Sequence, residues 1–397
     1  MRYNSLSLAW SPAPERRVRG MKIEGVNVFG PVEVASGLGT AVRGHLRAMW
    51  AAGLRTRVFP FRLSPRQGTQ KFEYPQENQF FDVSVVYANP DATDLVESLY
   101  GREIQRAKLK IGVWVWELPA AREEHIPYTR HYDEIWVPSI FNQRAFSAVT
   151  KTPVYVVPYV VAPMASSGAS FRTRLGIGRD NFVFLYMFDA SSYVERKNPQ
   201  VLIRAFQTIS GSDSPAKLVL KVAHLDDKAR FAIELSEAQK TCPNLRVLRE
   251  TLDERELAAL IGESDCYVSP HRTEGFGLTL AEAMAMSKPV IATDYGSTRD
   301  FLNTERGYPI AYRLVEIGAD LGPYPSGAVW ADPSEAELAT TMKHVMSHRD
   351  ERATRGAAAR DHVLRSLSIS SIAGSIAARL ADLTNGRRDT KREACHA

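Results

Sequence analysis

Only three of the 397 residues are cysteine (Cys242, Cys266 and Cys395), scattered and odd in number. Neither a disulfide framework nor a metal-ligand spacing can be read from them, and a reducing cytoplasm is the simplest setting. Long apolar runs are also missing: no stretch of about 18 apolar residues exists, which excludes a spanning helix. The first twenty residues lack the apolar segment of a secretory signal. They are polar, carry Arg16, Arg17 and Arg19, and are expected to be a flexible leader, with Met21 as an alternative start. A strong excess of one charge is absent. The net charge of +5 and pI near 9.0 suit an anionic ligand or an anionic membrane surface, and are too small to argue for nucleic acid.

What remains is a soluble globular profile, 44% hydrophobic and 24% charged. The length favours two domains of about 150–200 residues. Short apolar runs alternate with amphipathic stretches. In the first half, strands are expected at 21–29, 57–61, 82–87, 109–115, 134–138 and 154–158, with helices at 38–52, 93–100 and 141–148. In the second half, strands are expected at 182–188, 217–222, 245–248, 266–269 and 289–293. Their helices are expected at 199–209, 228–240, 254–261 and 278–286. Strand–helix–strand in series implies right-handed crossovers and parallel sheets. Two such series imply two doubly wound α/β domains, 21–163 and 164–368, with a boundary in the Pro- and Ser-rich stretch 160–170. A helix near 369–383 has no strand after it and is expected to pack back onto the first domain. The charged residues 387–397 are expected to be a loose tail.

The most informative run is 271–282, His-Arg-Thr-Glu-Gly-Phe-Gly-Leu-Thr-Leu-Ala-Glu, which holds Glu274 and Glu282 on either side of a glycine-rich turn. In a parallel sheet, ligands bind beyond the carboxyl ends of the strands, and this loop follows one. Gly275 and Gly277 let backbone approach a ligand, and the start of the helix offers free N–H groups to a diphosphate. Two plainer readings stand beside that one. Thr279 and Glu282 fit a capping box, and Glu274 fits a solvated loop carboxylate.

A second anion signal is Arg196-Lys197-Asn198-Pro199, two cations before a helix with Asn198 as N-cap and Pro199 at its first position. They read either as diphosphate contacts or as a solvated surface pair. In the first half, Gly37 and Gly39 stand in a glycine loop, but Val42 replaces the third glycine of the dinucleotide fingerprint, so the loop reads better as a cleft floor. The basic helix 38–52, with Arg43, His45, Arg47 and Trp50, could rest on an anionic membrane or present a solvated face with Trp50 inside. Glu117 closes the apolar run 111–116 and faces a cleft or lies in a turn set by Pro119.

Together these positions resemble the retaining family 4 glycosyltransferases. The strongest stretch is 265–300, with Glu274-Gly275-Phe276-Gly277, Glu282-Ala283-Met284-Ala285 and Lys288-Pro289-Val290-Ile291-Ala292-Thr293; residues 36–39, 114–119 and 133–139 add to it. The resemblance implies the GT-B architecture, two Rossmann-like domains facing across a cleft. It implies that Glu274 holds a hydroxyl of the transferred sugar and that backbone from Gly275 through Phe276 and Gly277 to Leu278 lines the sugar. Glu282 would bind the ribose and Lys197 the diphosphate, with Gly37 and Gly39 approaching from the other domain. Two departures stand out. The chain reads Phe188-Asp189-Ala190-Ser191-Ser192 where many members have Gly-Arg, so Arg196 is the available substitute; and Glu117 stands where many have histidine.

The resulting expectation is a hexosyltransferase of bacterial surface-polysaccharide type. It would move a sugar from a nucleoside diphosphate donor to a glycan or lipid-linked acceptor, at the inner face of the cytoplasmic membrane. GDP-mannose is the first expected donor and a UDP-sugar the second. No cofactor or metal is demanded, since lysine and helix amides can supply the positive field. A nucleotide-sugar epimerase and a non-catalytic partner subunit on the same scaffold are the rival readings.

Overall fold

The computed structural model describes residues 22–63, 68–163, 168, 170–211 and 213–385. The leader, Met21, Cys395, the tail 387–397 and most of the boundary stretch 164–169 lie outside the described residues.

Two six-stranded sheets, each parallel throughout, carry the fold. The first is built from β1 (Gly25–Gly30), β2 (Arg55–Pro60), β3 (Val83–Tyr87), β4 (Leu109–Val113), β5 (Glu134–Val137) and β6 (Val154–Val156), in the order β2-β1-β3-β4-β5-β6. The second contains β7 (Phe182–Asp189), β8 (Ala216–Ala223), β9 (Leu245–Leu248), β10 (Cys266–Ser269), β11 (Val290–Thr293) and β12 (Tyr308–Ile310), in the order β12-β11-β10-β7-β8-β9. β1, β3, β7 and β10 are buried along almost their whole length, as strands covered by helices on both faces must be. In the second sheet the order reverses between β7 and β10, and their carboxyl ends open the crevice where ligands bind in such sheets.

The structure adds elements that the sequence reading did not separate. β12 extends the second sheet, and β13 (Tyr312–Glu316) pairs antiparallel with β14 (Val329–Pro333) as a separate ribbon. Arg313, Leu314 and Glu316 on β13 are exposed, so this strand has no buried face to give it an apolar stripe. Two further helices, Glu335–Ser347 and Arg349–Ser366, precede the last one.

That last helix, Ile369–Asn385, lies along the helix Gly37–Ala51 of the first domain. Ile372, Ile376 and Leu380 enter the core that holds Val42, Leu46 and Met49. Arg379 reaches the fully buried Glu134 on β5 with Nε at 2.9 Å from Oε1, and Trp136 Nε1 donates to the same carboxylate at 2.6 Å. Chain therefore crosses between domains twice, and the crossings are bonded together by Val161 N to the Leu367 carbonyl at 2.8 Å.

Candidate active site at the carboxyl ends of the second sheet

Beyond β7 the chain makes a one-turn helix, Val194–Lys197, flanked by two residues in the left-handed region, Tyr193 (φ 65°) and Asn198 (φ 53°). Such backbone is costly for side chains other than glycine and concentrates at functional sites. Here it aims Arg196 and Lys197 together at the loop that follows β10. Two bonds stitch the two segments, Arg272 N to the Arg196 carbonyl at 2.8 Å and Asn198 Nδ2 to the Pro270 carbonyl at 3.2 Å, and Tyr186 Oη on β7 donates to the Lys197 carbonyl at 2.7 Å. Asn198 does precede the helix Pro199–Ile209, but its side chain does not cap it: its backbone is left-handed rather than extended, and Nδ2 donates to the Pro270 carbonyl.

Glu274 is the centre of the cluster. Lys197 Nζ donates to Oε1 at 2.5 Å, and Arg196 Nη1 lies 3.3 Å from Oε2. Arg196 Nη1 also donates to the Thr273 carbonyl at 3.1 Å, and Nε to the Ser192 carbonyl at 3.2 Å. Side-chain exposure is 4% for Arg196, 15% for Lys197 and 14% for Glu274, so this is neither a solvated loop carboxylate nor a solvated cation pair. Burial works to raise the Glu274 pKa; the two cations overcome it and hold the carboxyl at about 2. Burial and the neighbouring Arg196 lower the Lys197 pKa, against the pull of Glu274.

The loop itself is held from behind. His271 is fully buried: Nε2 donates to the Tyr295 carbonyl at 3.2 Å and Nδ1 accepts from Ser269 Oγ at 3.0 Å. The Glu274 carbonyl accepts from Ser297 N and Oγ at 3.2 and 2.6 Å. Arg272 pairs with Asp332 on β14 at 2.8 Å and lies over the Trp330 ring. None of these supports was read from the sequence, since most of the partners (Tyr295, Ser297, Asp332) are distant in the chain.

The first domain closes over the other side. Thr273 Oγ1 donates to the Glu117 carbonyl, and the Glu117 carboxylate stands 4.0 Å from Arg196 Nη2. The Gly275 carbonyl accepts from Ser139 Oγ at 3.2 Å and Asn142 Nδ2 at 3.0 Å. A Cβ on Gly275 would meet Val115 Cγ2 at 2.4 Å. Phe276 is buried against Tyr159 and Phe301, and so packs the two domains together.

The capping box expected of Thr279 and Glu282 does not form. Gly277, at φ 88°, takes the N-cap position and the helix runs Leu278–Ala285. Thr279 Oγ1 instead accepts from Tyr267 Oη at 2.7 Å. The Glu282 side chain is thereby left without a hydrogen bond or a basic partner among the described residues. Burial, with some help from Glu254, pushes its pKa up to about 8.

In the first-domain glycine loop, Ser36 caps the helix by accepting from Gly39 N at 3.1 Å. A Cβ on Gly39 would lie 2.1 Å from the Val34 carbonyl, so this glycine serves the tight turn; Gly37 faces open space. The membrane reading of this helix loses its main residues. Arg43 is buried and bonded to the carbonyls of Val32 and Val34 at 3.1 and 2.9 Å, and it reaches Glu254 of the second domain at 3.6 Å. His45 is buried between Tyr87 Oη and the Pro158 carbonyl, both at 2.9 Å. The turn's carbonyls needed an internal cation, which a helical pattern does not reveal.

Residues 171–362 match the family model described as glycosyl transferases group 1. No curated protein matches the chain. Among solved structures, the Anabaena protein Alr3699/HepE in complex with UDP and glucose is 14% identical with a TM-score of 0.64, over 90% of this chain and 100% of that one. The sucrose-phosphate synthase of Thermosynechococcus elongatus is 16% identical with a TM-score of 0.66, over 91% and 100%. A glycosyltransferase from Rickettsia africae is 11% identical with a TM-score of 0.59, over 91% and 99%. At such identities the likeness is one of fold, and with two six-stranded parallel sheets meeting at the Glu274 loop the chain has the GT-B architecture.

Proposed function

We propose that this protein is a retaining glycosyltransferase that moves a hexose from a nucleoside diphosphate to an acceptor hydroxyl. The observation that carries the reading is the Lys197–Glu274–Arg196 cluster, formed at the order reversal of the second sheet within the segment that matches the group 1 model. Two cations on Glu274, four residues before the helix Leu278–Ala285, suit a diphosphate leaving group, whose charge develops as the glycosidic bond breaks. Glu274, ionised at neutral pH, suits the sugar hydroxyls as an acceptor. Glu282, one helical turn further on and unpartnered, suits the ribose diol. Neither carboxylate is needed as a nucleophile: the departing phosphate can take the acceptor's proton on the face it leaves.

Two donors are weighed. The run 271–278 with Trp330-Ala331-Asp332-Pro333 favours GDP-mannose by family resemblance, whereas HepE was solved with UDP-glucose. The acceptor is proposed to be a growing or lipid-linked glycan of polysaccharide biosynthesis. No described helix is long and apolar enough to cross a membrane.

The test is a thermal-shift comparison of GDP, UDP and ADP, followed by transfer from the matching labelled sugar. A nucleoside diphosphate at 100 times its Kd should stabilise the fold by about 2.7 kcal/mol. No shift with any of the three, and no transfer, would sink the reading. A new nucleotide-sugar made without acceptor would indicate an epimerase instead.

A further inference from the structure

Arg43 turns one side of its guanidinium on the glycine turn of its own domain. Nη1 donates to the carbonyls of Val32 and Val34, and Nη2 donates to Thr40 Oγ1 at 2.9 Å. Gly39 makes room for this: a Cβ there would stand 3.1 Å from Nη1 as well as crowding the Val34 carbonyl. Most amides of the turn are spent inside the first domain. Ser36 N donates to the Val34 carbonyl at 3.0 Å, Ala35 N to the Gly68 carbonyl at 2.9 Å and Gly39 N to Ser36 Oγ at 3.1 Å. Gly37 N and Leu38 N, the first two of the helix Gly37–Ala51, have no acceptor among the described residues, so they are the donors the turn has left to offer.

The remaining nitrogen of Arg43 faces the other domain. Nε is buried and without a hydrogen bond among the described residues, and it lies 3.6 Å from Oε1 of Glu254. A buried donor left in this way is rare and calls for a reason. Glu254 opens the helix Glu254–Glu263, whose start is fixed by a complete capping box between Asp253 and Glu256. Glu254 takes no part in that cap. Its side chain is 42% exposed, and an ion pair with so open a partner adds little to stability. What the pair can fix is position. The bonds that join the domains at the Glu274 loop come from Glu117, Ser139 and Asn142, after β4 and β5. Arg43 adds a tie from the helix after β1, the one that carries the glycine turn.

We propose that Arg43 is a positioning residue for sugar transfer: tied to Glu254 across the cleft, it sets the Gly37 and Leu38 amides of the first domain against a diphosphate held by the second. The proposal rests on the transferase reading, which puts that diphosphate on Lys197 and Arg196. Amides set there meet the charge that grows on the leaving phosphate, so the tie acts on bond breaking more than on binding.

The test follows sugar transfer to water from labelled UDP-glucose and GDP-mannose, with UDP and GDP binding by calorimetry and Tm for each variant. Glu254→Asp keeps the acidic first turn of its helix and withdraws the carboxylate by one methylene. Its kcat should fall about ten-fold, with nucleotide Kd within about two-fold of wild type and Tm unchanged. Glu254→Gln keeps the length and loses the charge, and should lie between the two. Arg43→Lys keeps the charge and loses the fork that holds the carbonyls. Adding Glu254→Asp to it should cost nothing further, because the two residues act as one unit. If Arg43→Lys does not fold, the two Glu254 variants decide alone. Glu254 variants that turn over like wild type, losses that multiply in the double variant, or a loss confined to Kd would each overturn the proposal and leave Arg43 as a filler of its turn. If wild type neither binds the nucleotides nor turns over their sugars, the proposal falls together with the transferase reading.

Discussion

Asn142 of the first domain donates from Nδ2 to the Gly275 carbonyl of the second at 3.0 Å, while its Oδ1 accepts from Trp116 N at 2.6 Å. One buried amide therefore sets the loop after β4 against the loop after β10. Asn142→Ala leaves the Trp116 N–H and one Gly275 acceptor site unpaired, and should cost about 1–3 kcal/mol by denaturant titration. Transfer should fall with it, since Glu117 and Glu274 flank the two bonded positions.

Gly275→Ala should be worse for activity than for folding. The added methyl meets Val115 Cγ2 at 2.4 Å and the Trp116 carbonyl at 3.1 Å, both on the opposite domain. The domains can separate to relieve the clash, and each keeps its own sheet. A larger radius of gyration by small-angle scattering, with near-normal secondary structure, is expected; unchanged scattering with full activity would refute the close approach.

Glu274→Gln keeps the shape and removes the charge that Lys197 and Arg196 share. Transfer should drop by about 100-fold or more. Nucleoside diphosphate binding should hold or strengthen, because the two cations lose their competitor. A parallel loss of nucleotide affinity would mean that Glu274 serves to support the loop rather than to hold a sugar.

Acid and alkali should act on different residues. Glu282 is pushed from the ordinary 4.5 to about 8, so the folded state holds a proton between those values that the unfolded chain has lost. Its contribution to stability is full below pH 4.5 and lost as pH rises through about 8. Glu282→Gln should therefore match wild type near pH 4.5 and exceed it in Tm at pH 8. His45 and His271, pushed down by burial to about 4, act the other way: stability is lost as pH falls from 6.5 towards 4.

Breaking the Arg379–Glu134 pair by Arg379→Met should cost about 3–5 kcal/mol, because it strands a carboxylate with no exposure at all. The loss should appear as earlier unfolding of the first domain together with the last helix.

How much of this was legible follows from what each residue answers to. Val- and Phe-rich strands with helices between them announce parallel sheets, and all eleven expected strands lie within a few residues of where periodicity puts them because burial selects such sequences. Gly275 and Gly277 were read as letting backbone approach a ligand, and the close neighbours present are Val115 and Trp116 at Gly275 and Thr298 at Gly277. The capping-box alternative for Thr279 and Glu282 failed because it is a local pattern, and a left-handed Gly277 started the helix two residues earlier than that pattern implies. Arg43 was misread because its partners are carbonyls of a turn, which leave no mark in composition. Tyr324, buried in the link between the β13 and β14 strands of the ribbon, was invisible: its ring packs 5.8 Å from that of Trp116, some two hundred residues away.

The paired crossings at Val161 and Leu367 constrain how the molecule can breathe. A single linker would let one domain swivel freely on the other. Two crossings tied by the Val161–Leu367 bond restrain that swivel. The register of Glu117 and Asn142 against the Glu274 loop is therefore set in part at the spine, far from the chemistry.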